Sequence, residues 1–368
     1  MKTIMVVFGT RPESIKMCPL VKELEAHRDA FRTVVVVTGQ HREMLDSVLK
    51  VFGVRQDFDL AVMKPGQTLA DITVDVIRGM DSVLERVEPD AVLVHGDTTT
   101  SFAAALACFY RGIPVGHVEA GLRTYDPFSP FPEEFNRQAV DIFARWYFAP
   151  TAVARENLLK EGKDPALVFV TGNTGIDALR FTVSDGHAHP LLDWARGSRL
   201  VLLTSHRREN IGKPMHEMFA AVRAVVRSHP DVKVLYPVHP NPKVREIAHS
   251  ELDGIERIRL VEPLDVLDFH NLIHASYLVL SDSGGIQEEA PALGKPVLVM
   301  RDCTERPEGV EAGTLALVGT KRAGIEAAFS KLLDDSTAYD RMACASNPYG
   351  DGFASRRIVD VLGRKESW

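Results

Sequence analysis

Short runs of apolar, β-branched residues alternate with longer stretches of helical period along the whole chain. In the first half such runs stand at 3–8 (TIMVVF), 33–38 (TVVVVT), 91–96 (AVLVHG), 114–118 (PVGHV) and 146–150 (WYFAP). They are continuously apolar rather than alternating, and Gly or Pro bounds them, which suits strands buried on both faces of a parallel sheet. Helical patterns at 14–27, 41–52, 69–87 and 99–111 lie between them. This alternation predicts βαβ units wound into a parallel sheet with helices on both faces.

The pattern then restarts. Strand-like runs recur at 199–205, 232–238, 258–262, 277–282 and 296–300, with helices expected at 215–228, 266–275, 286–293 and 325–333. The least regular stretch, VSDGHAHPLLDWARG, falls between the two series and places a boundary near 172–197. The fold class expected is therefore α/β: one Rossmann-like domain over 1–172 and a second over 173–350. A last helix within 351–368 is placed to pack back on the first domain. A chain of 368 residues has the length for two such domains, each with its own core.

Composition narrows the partners. Hydrophobic residues make up 45% and charged residues 25%, ordinary values for a globular chain. Against 43 Lys plus Arg stand 50 Asp plus Glu, a net charge of −7. That balance argues against general binding to nucleic acid or to an anionic membrane, so an anionic ligand has to meet a local cluster of cations. The cysteines at 18, 108, 303 and 344 form no CxxC pair, which reads as reduced thiols in the cytoplasm and no zinc site. The longest apolar run, 102–110, is well short of the roughly 20 residues that span a bilayer.

In open α/β sheets, ligands bind beyond the carboxyl ends of the strands, and unusual polar residues stand at those ends here. Gly9-Thr10-Arg11-Pro12-Glu13 follows the first strand, with Lys16 a turn into the helix: an anion site, or a turn with Pro at its first helical position. Asp97 ends AVLVHG before three threonines, where it is either a helix cap or a site carboxylate. Glu119 ends PVGHV ahead of AGLRT, which is not a helix start, so capping does not account for it. Carboxylates at neighbouring strand ends, about 5 Å apart, repel. One pKa of the Asp97–Glu119 pair is therefore expected to rise, which would separate an acid from a base. In SPFPEEFNRQ, Glu133 and Glu134 open a helix about 100° apart, so at most one of them serves a site.

In the second half, TSHRREN carries His206, Arg207 and Arg208 at a strand end, donors suited to a pyrophosphate or a solvated basic loop. SDSGGIQEEAPALGKP joins a strand to a helix through Ser283, Gly284 and Gly285, small residues that let backbone amides approach a phosphate. Glu288 or Glu289 could accept hydrogen bonds from a ribose, and Arg306 lies beyond the next strand. No Walker A, HExxH, GxSxG or GxGxxG pattern occurs, and His187 and His189 have no third metal ligand nearby in sequence.

Nine segments in order, GTRPESIKMCPL, TGQHREML, HGDTTT, HVEAGLRT, SPFPEEFNRQ, TSHRREN, PVHPNP, DSGGIQEEAPALGKPV and MRDCTERPE, resemble the non-hydrolysing UDP-N-acetylglucosamine 2-epimerases. The resemblance covers the whole chain. It implies a two-domain glycosyltransferase B-like fold with the active site in the cleft between domains, no metal or nicotinamide cofactor, and a homodimer. It further implies C2 epimerisation of UDP-GlcNAc to UDP-ManNAc through elimination of UDP, supplying ManNAc for surface polysaccharide. By matching position, Asp97, Glu119 and Glu133 are its acid/base carboxylates and His206 its histidine near the phosphates. Arg11, Lys16, Phe269, Ser283, Gly284, Gly285, Glu289 and Arg306 would hold UDP. Gln40, Gln67, Arg207 and His239 match a second, activating UDP-GlcNAc site found in some members. Departures are Leu264, where some members have Gln near the uracil, and Glu43 and Gly66, where activated members can carry Gln and Arg. The alternatives left by the same residues are a 2-epimerase of a modified UDP-sugar, a UDP-sugar glycosyltransferase, and a non-catalytic UDP-sugar sensor.

Overall fold

A computed structural model of the chain describes residues 1–39, 42–64, 66–364 and 368. The chain divides into two compact units, Met1–Phe181 with Tyr349–Trp368, and Thr182–Pro348. The crossing at 181/182 falls within the 172–197 stretch, nine residues past 172 for a local reason. Asp177, on the helix Thr174–Thr182, accepts the Ala354 and Ser355 amides at 3.0 and 2.6 Å, at the start of the helix Ala354–Gly363. The Asn173 amide donates to Tyr349 O at 2.7 Å, so both segments stay with the first unit. There the helix Ala354–Gly363 packs on the helix Arg11–Ala26.

The first unit contains β1 (Lys2–Phe8), β2 (Phe31–Val37), β3 (Phe58–Asp59), β4 (Ala91–His95), β5 (Val115–Val118), β6 (Trp146–Ala149) and β7 (Val168–Val170). They form one sheet in the order β3-β2-β1-β4-β5-β6-β7, every pair parallel. Its centre follows from the apolar runs: Ile4 through Phe8 are completely buried, as a strand covered on both faces requires. The second unit has β8 (Arg199–Thr204), β9 (Val232–Pro237), β10 (Ile258–Val261), β11 (Leu278–Ser281), β12 (Val297–Val299) and β13 (Leu315–Leu317), ordered β10-β9-β8-β11-β12-β13 and again parallel.

Both sheets wind outward in two directions from an inner pair. In the first unit the order reverses between β1 and β4, and in the second between β8 and β11. At such a switch point the loops after the two strands diverge to opposite faces and leave a crevice. The loops concerned carry Thr10–Lys16 and Asp97–Thr98 in one unit, and Ser205–Arg207 and Asp282–Gly285 in the other. Each unit thus presents its unusual polar residues where its own topology opens. Among the described residues no helix is long and apolar enough to cross a membrane.

Candidate active site

In the first unit, the helix Arg11–Ala26 starts on a capping box: Thr10 Oγ1 accepts the Glu13 amide at 3.3 Å, and Glu13 Oε2 accepts the Thr10 amide at 2.7 Å. Glu13 is almost fully buried, and its Oε1 accepts the Thr98 hydroxyl at 2.6 Å, tying the loop after β1 to the loop after β4. Gly9 is required at the turn because a Cβ there would overlap the hydroxyls of Thr38 and Thr100. Glu13 is therefore the brace of the site, and Arg11 and Lys16 project from the braced helix.

Lys16 Nζ forms an ion pair with Glu119 Oε2. The same carboxylate accepts Asn173 Nδ2 at 3.0 Å, and His95 Nε2 stands 3.6 Å away. Glu119 has φ +67°, a left-handed conformation costly for a non-glycine residue and concentrated at functional sites. Burial pushes the Glu119 carboxyl up, but Lys16 first and, in its protonated form, His95 next more than offset this and hold it well below the usual carboxylate range. The expected rise of one carboxyl in the Asp97–Glu119 pair is corrected here. Although β4 and β5 are neighbours, the two side chains face different cations: Glu119 has Lys16, while Asp97 forms an ion pair with Arg137. Lys16 is thereby engaged with a carboxylate, whatever it offers a ligand.

Asp97 is not the cap of the following helix. Thr98 takes that place, accepting the Ser101 amide at 3.1 Å, which leaves the half-buried Asp97 carboxylate to Arg137. The helix Glu133–Phe143 supplies Arg137, and also Asn136, whose Nδ2 donates to Asp97 O at 2.9 Å. The two glutamates opening this helix separate as their 100° offset predicts. Glu134 is fully buried and accepts the Tyr125 amide at 3.0 Å and Gln138 Nε2 at 2.6 Å. Glu133 stays half-exposed and takes no part in that cluster. It precedes Arg137 by one turn, but the carboxylate found beside Arg137 is that of Glu134, with Oε2 3.6 Å from Nη1. A cavity of about 500 Å³ collects Arg11, Lys16, His95, Asp97 and Glu119 along its wall.

Beneath this wall lies a buried network that the sequence reading did not single out. His117 Nε2 lies 2.8 Å from Gly96 O and Nδ1 2.6 Å from Asp141 Oδ1, while Asp141 Oδ2 accepts Arg123 at 2.7 Å. Burial pushes the Asp141 carboxyl up, and His117 and Arg123 together bring it below its ordinary value. The network clamps Gly96, next to Asp97, to the loop that carries Glu119. His95 was missed for a different reason. As the last residue of an apolar strand it looked like part of the strand, and only its place at the switch point signalled otherwise.

In the second unit Asp282, at the end of β11, is completely buried and organises the loop after β8. It accepts the Ser205 hydroxyl at 3.0 Å, the Arg207 amide at 3.0 Å and Asn210 Nδ2 at 3.0 Å, and its Oδ2 accepts the His206 amide at 3.0 Å. The His206 ring stacks on His239 with centroids 5.4 Å apart. Burial pushes the His206 imidazole down, Asp282 counters, and His239 and Arg207 push it down again, so it sits below its usual range. Arg207 and Arg306 converge over Gly284: a Cβ there would lie 3.4 Å from the Arg306 guanidinium and 3.5 Å from that of Arg207. Two guanidinium groups above a glycine without a side chain suit a diphosphate.

Of the two acids considered for a ribose, Glu288 is buried and accepts Arg306 Nε at 2.8 Å. Glu289 Oε2 lies 3.7 Å from His270 Nε2, beside Gly285 at the helix start. Ser283 donates its amide to Ser281 Oγ at 2.9 Å, holding the turn into that helix. Phe269, like Leu264, packs half-buried against the core of its unit. Of the four positions matched to an activator, Gln40 lies outside the described residues. Gln67, in the first unit, donates to Val62 O in its own loop at 2.9 Å and to Asp75 on the helix Leu69–Val87 at 3.1 Å. Arg207 and His239 belong to the second unit, in the cluster just described. His187 and His189 both face Asp268, at 2.9 and 3.6 Å.

A family profile described as UDP-N-acetylglucosamine 2-epimerase matches residues 22–363. A Bacillus subtilis (strain 168) protein named UDP-N-acetylglucosamine 2-epimerase is 57% identical over 359 residues, covering 98% of this chain and 94% of its own. The S. aureus MnaA–UDP co-structure superimposes with a TM-score of 0.91 at 53% identity, covering 98% of this chain and 96% of that one. A UDP-GlcNAc 2-epimerase from Neisseria meningitidis, bound to UDP-GlcNAc, gives a TM-score of 0.90 at 46% identity, with 98% and 99% covered.

Proposed function

This chain belongs to the UDP-N-acetylglucosamine 2-epimerase family, and from that premise we propose that it interconverts UDP-GlcNAc and UDP-ManNAc by losing and re-adding UDP. The C2 proton of the sugar is weakly acidic, so direct inversion is slow. Elimination avoids it: a base takes the C2 proton, the C2–H electron pair becomes the C1=C2 double bond, and the C1–O pair leaves with UDP. Re-addition of UDP to the 2-acetamidoglucal, with a proton delivered to the other face, completes the inversion. That sequence needs at least two acid/base groups and a firm hold on free UDP.

The observation that carries this reading is the state of Glu119: buried, backbone-strained, kept anionic by Lys16, and on the wall of a cavity that also holds Asp97. We assign acid/base work to Asp97, Glu119 and Glu133. His206, Arg306, Ser283, Gly284, Gly285, Glu289 and Phe269 are assigned to UDP, with Arg11 as a further anion contact. Lys16 is assigned to UDP as well, beside its ion pair with Glu119. Gln40, Gln67, Arg207 and His239 remain the candidates for an activating second UDP-GlcNAc, Arg207 also standing with Arg306 over Gly284 where a diphosphate fits. The relatives bound to UDP and UDP-GlcNAc support a UDP-sugar ligand.

A homodimer is part of the proposal. The adjacent helices Leu69–Val87, Thr99–Tyr110 and Glu133–Phe143 expose Val74, Tyr110, Phe135 and Ile142, the last two at 51% and 73%. Exposed apolar side chains on adjacent helices suit a buried interface. Free cysteines agree with a cytoplasmic place, where the product would feed surface polysaccharide synthesis. Incubation with UDP-GlcNAc alone, followed by NMR of the products, tests the activity. UDP-ManNAc without any acceptor is expected. Free ManNAc with UDP would indicate hydrolysis instead, and binding without turnover would indicate a sensor.

A further inference from the structure

His95 ends β4 with 4% of its surface exposed, and its Nε2 is buried with no hydrogen-bond partner among the described residues. A buried nitrogen left so costs stability, and native folds rarely leave one without a reason. The register accounts for its position: His95 pairs with Val118, the residue before Glu119, so both side chains leave adjacent strand ends. Its backbone is fixed, since the Ser101 hydroxyl donates to His95 O at 2.6 Å. The ring lies on the cavity wall with Arg11, Asp97 and Glu119, and its Nε2 stands 3.6 Å from Glu119 Oε2. That is beyond a hydrogen bond, yet near enough to become one when substrate tightens the site.

The chemistry of Glu119 calls for such a neighbour. A carboxylate that Lys16 holds well below its ordinary range is a weak base, and once protonated it is a strong acid. It does not keep a proton while the unsaturated sugar waits for UDP to return. An imidazole is the side chain whose ordinary range spans neutrality and which accepts the proton that a carboxyl gives up.

We propose that His95 is a proton-relay residue of the C2 reaction, exchanging the migrating proton with Glu119 through Nε2. This rests on the epimerase reading. In the elimination the C2 proton moves to the Glu119 carboxylate while the C1–O pair leaves with UDP. The carboxyl then passes the proton to neutral His95, leaving a carboxylate beside an imidazolium, with charge conserved. The return runs in reverse. The charged groups that share the cavity wall with the ring are Arg11, Glu13 and Lys16 from the helix Arg11–Ala26, Glu119 after β5 and Asp97 after β4.

The test compares wild type with His95→Gln and His95→Asn, reading kcat, KM, UDP affinity and deuterium uptake at C2 in D2O. A Gln amide can hydrogen-bond Glu119 as Nε2 does but cannot carry a proton. Both variants are expected to lose about 10²-fold or more in kcat and in C2 exchange, with UDP affinity unchanged. A Gln variant with wild-type kcat and exchange would show that His95 only orients Glu119, and the relay would be wrong. If the variants do not fold, 15N-histidine NMR of the wild type decides. A ring that becomes imidazolium under turnover supports the relay, and one that stays in a single state throughout overturns it. A wild type that binds UDP yet never turns over UDP-GlcNAc refutes the epimerase reading itself, whereas an active wild type with an active Gln variant refutes the relay alone.

Discussion

Lys16 and Glu119 are 103 residues apart in sequence, yet they form an ion pair with only 14% and 9% of their side chains exposed. The pair joins the first helix of its unit to the end of β5 across the sheet's switch point. Removing one partner of such a pair leaves a buried, uncompensated charge, at a cost of about 3–5 kcal/mol. Lys16→Met is therefore expected to destabilise the protein by roughly that amount. The sign with pH follows from the depressed carboxyl: the contribution of Glu119 is complete above the unfolded value of 4.5 and is lost as pH falls below it. Urea unfolding of wild type and Lys16→Met between neutral pH and the acid range checks both points, since the difference between them should shrink on acidification.

The helix Glu133–Phe143 separates a chemical glutamate from a structural one. Glu133→Gln is expected to lower kcat by about 10²–10⁴-fold while leaving stability unchanged. Glu134→Gln disturbs a fully buried acceptor of the Tyr125 amide and Gln138, and is expected to cost about 1–3 kcal/mol of stability with near-normal kcat per folded molecule. Parallel kinetics and denaturation of the two variants check this, and the reverse pattern would exchange the two assignments.

The basic cluster of the second unit predicts a graded response to substitution. Arg306→Ala removes a guanidinium at Gly284 and is expected to weaken UDP binding by about 1.5–3 kcal/mol. Asp282→Asn touches no ligand in this account, but it loosens the Ser205–Asn210 loop, so it should weaken UDP binding and lower stability together. Calorimetric titration with UDP, alongside thermal unfolding, separates the two effects.

Thiol reactivity gives a test independent of the chemistry. Cys18 and Cys108 are completely buried, and burial pushes the Cys108 thiol up to about 12 and that of Cys18 higher still. Cys303 and Cys344 are exposed. Native protein should therefore present two reactive thiols to an aromatic disulfide reagent and denatured protein all four. Rapid reaction of all four in the native state would contradict the packing of β1's covering helix and of the helix Thr99–Tyr110.

The central strands were legible because burial on both faces forces a continuous apolar run, as in TIMVVF and AVLVHG. The strands that escaped, Phe58–Asp59, Val168–Val170 and Leu315–Leu317, are two or three residues long and sit at sheet edges, where one side is open and the apolar signal fades. Glu119 and Asp97 could be picked out because neither strand nor cap explained the first and the switch point favours both. Their electrostatics could not be read, because Lys16 and Arg137 reach them from helices 103 and 40 residues away. Asp282 and His95 were passed over for a related reason: each ends an apolar strand, and only the three-dimensional neighbourhood gives either a task.

The central claim is that the C2–H bond is broken during epimerisation, and turnover of UDP-GlcNAc in D2O tests it most directly. The proton returned to C2 comes from groups that exchange with solvent, so UDP-ManNAc should form with deuterium at C2. Glu119→Gln keeps the shape but cannot act as a base, so it should slow both exchange and epimerisation by about 10²–10⁴-fold. UDP-ManNAc that forms with its original C2 proton fully retained would contradict elimination and re-addition.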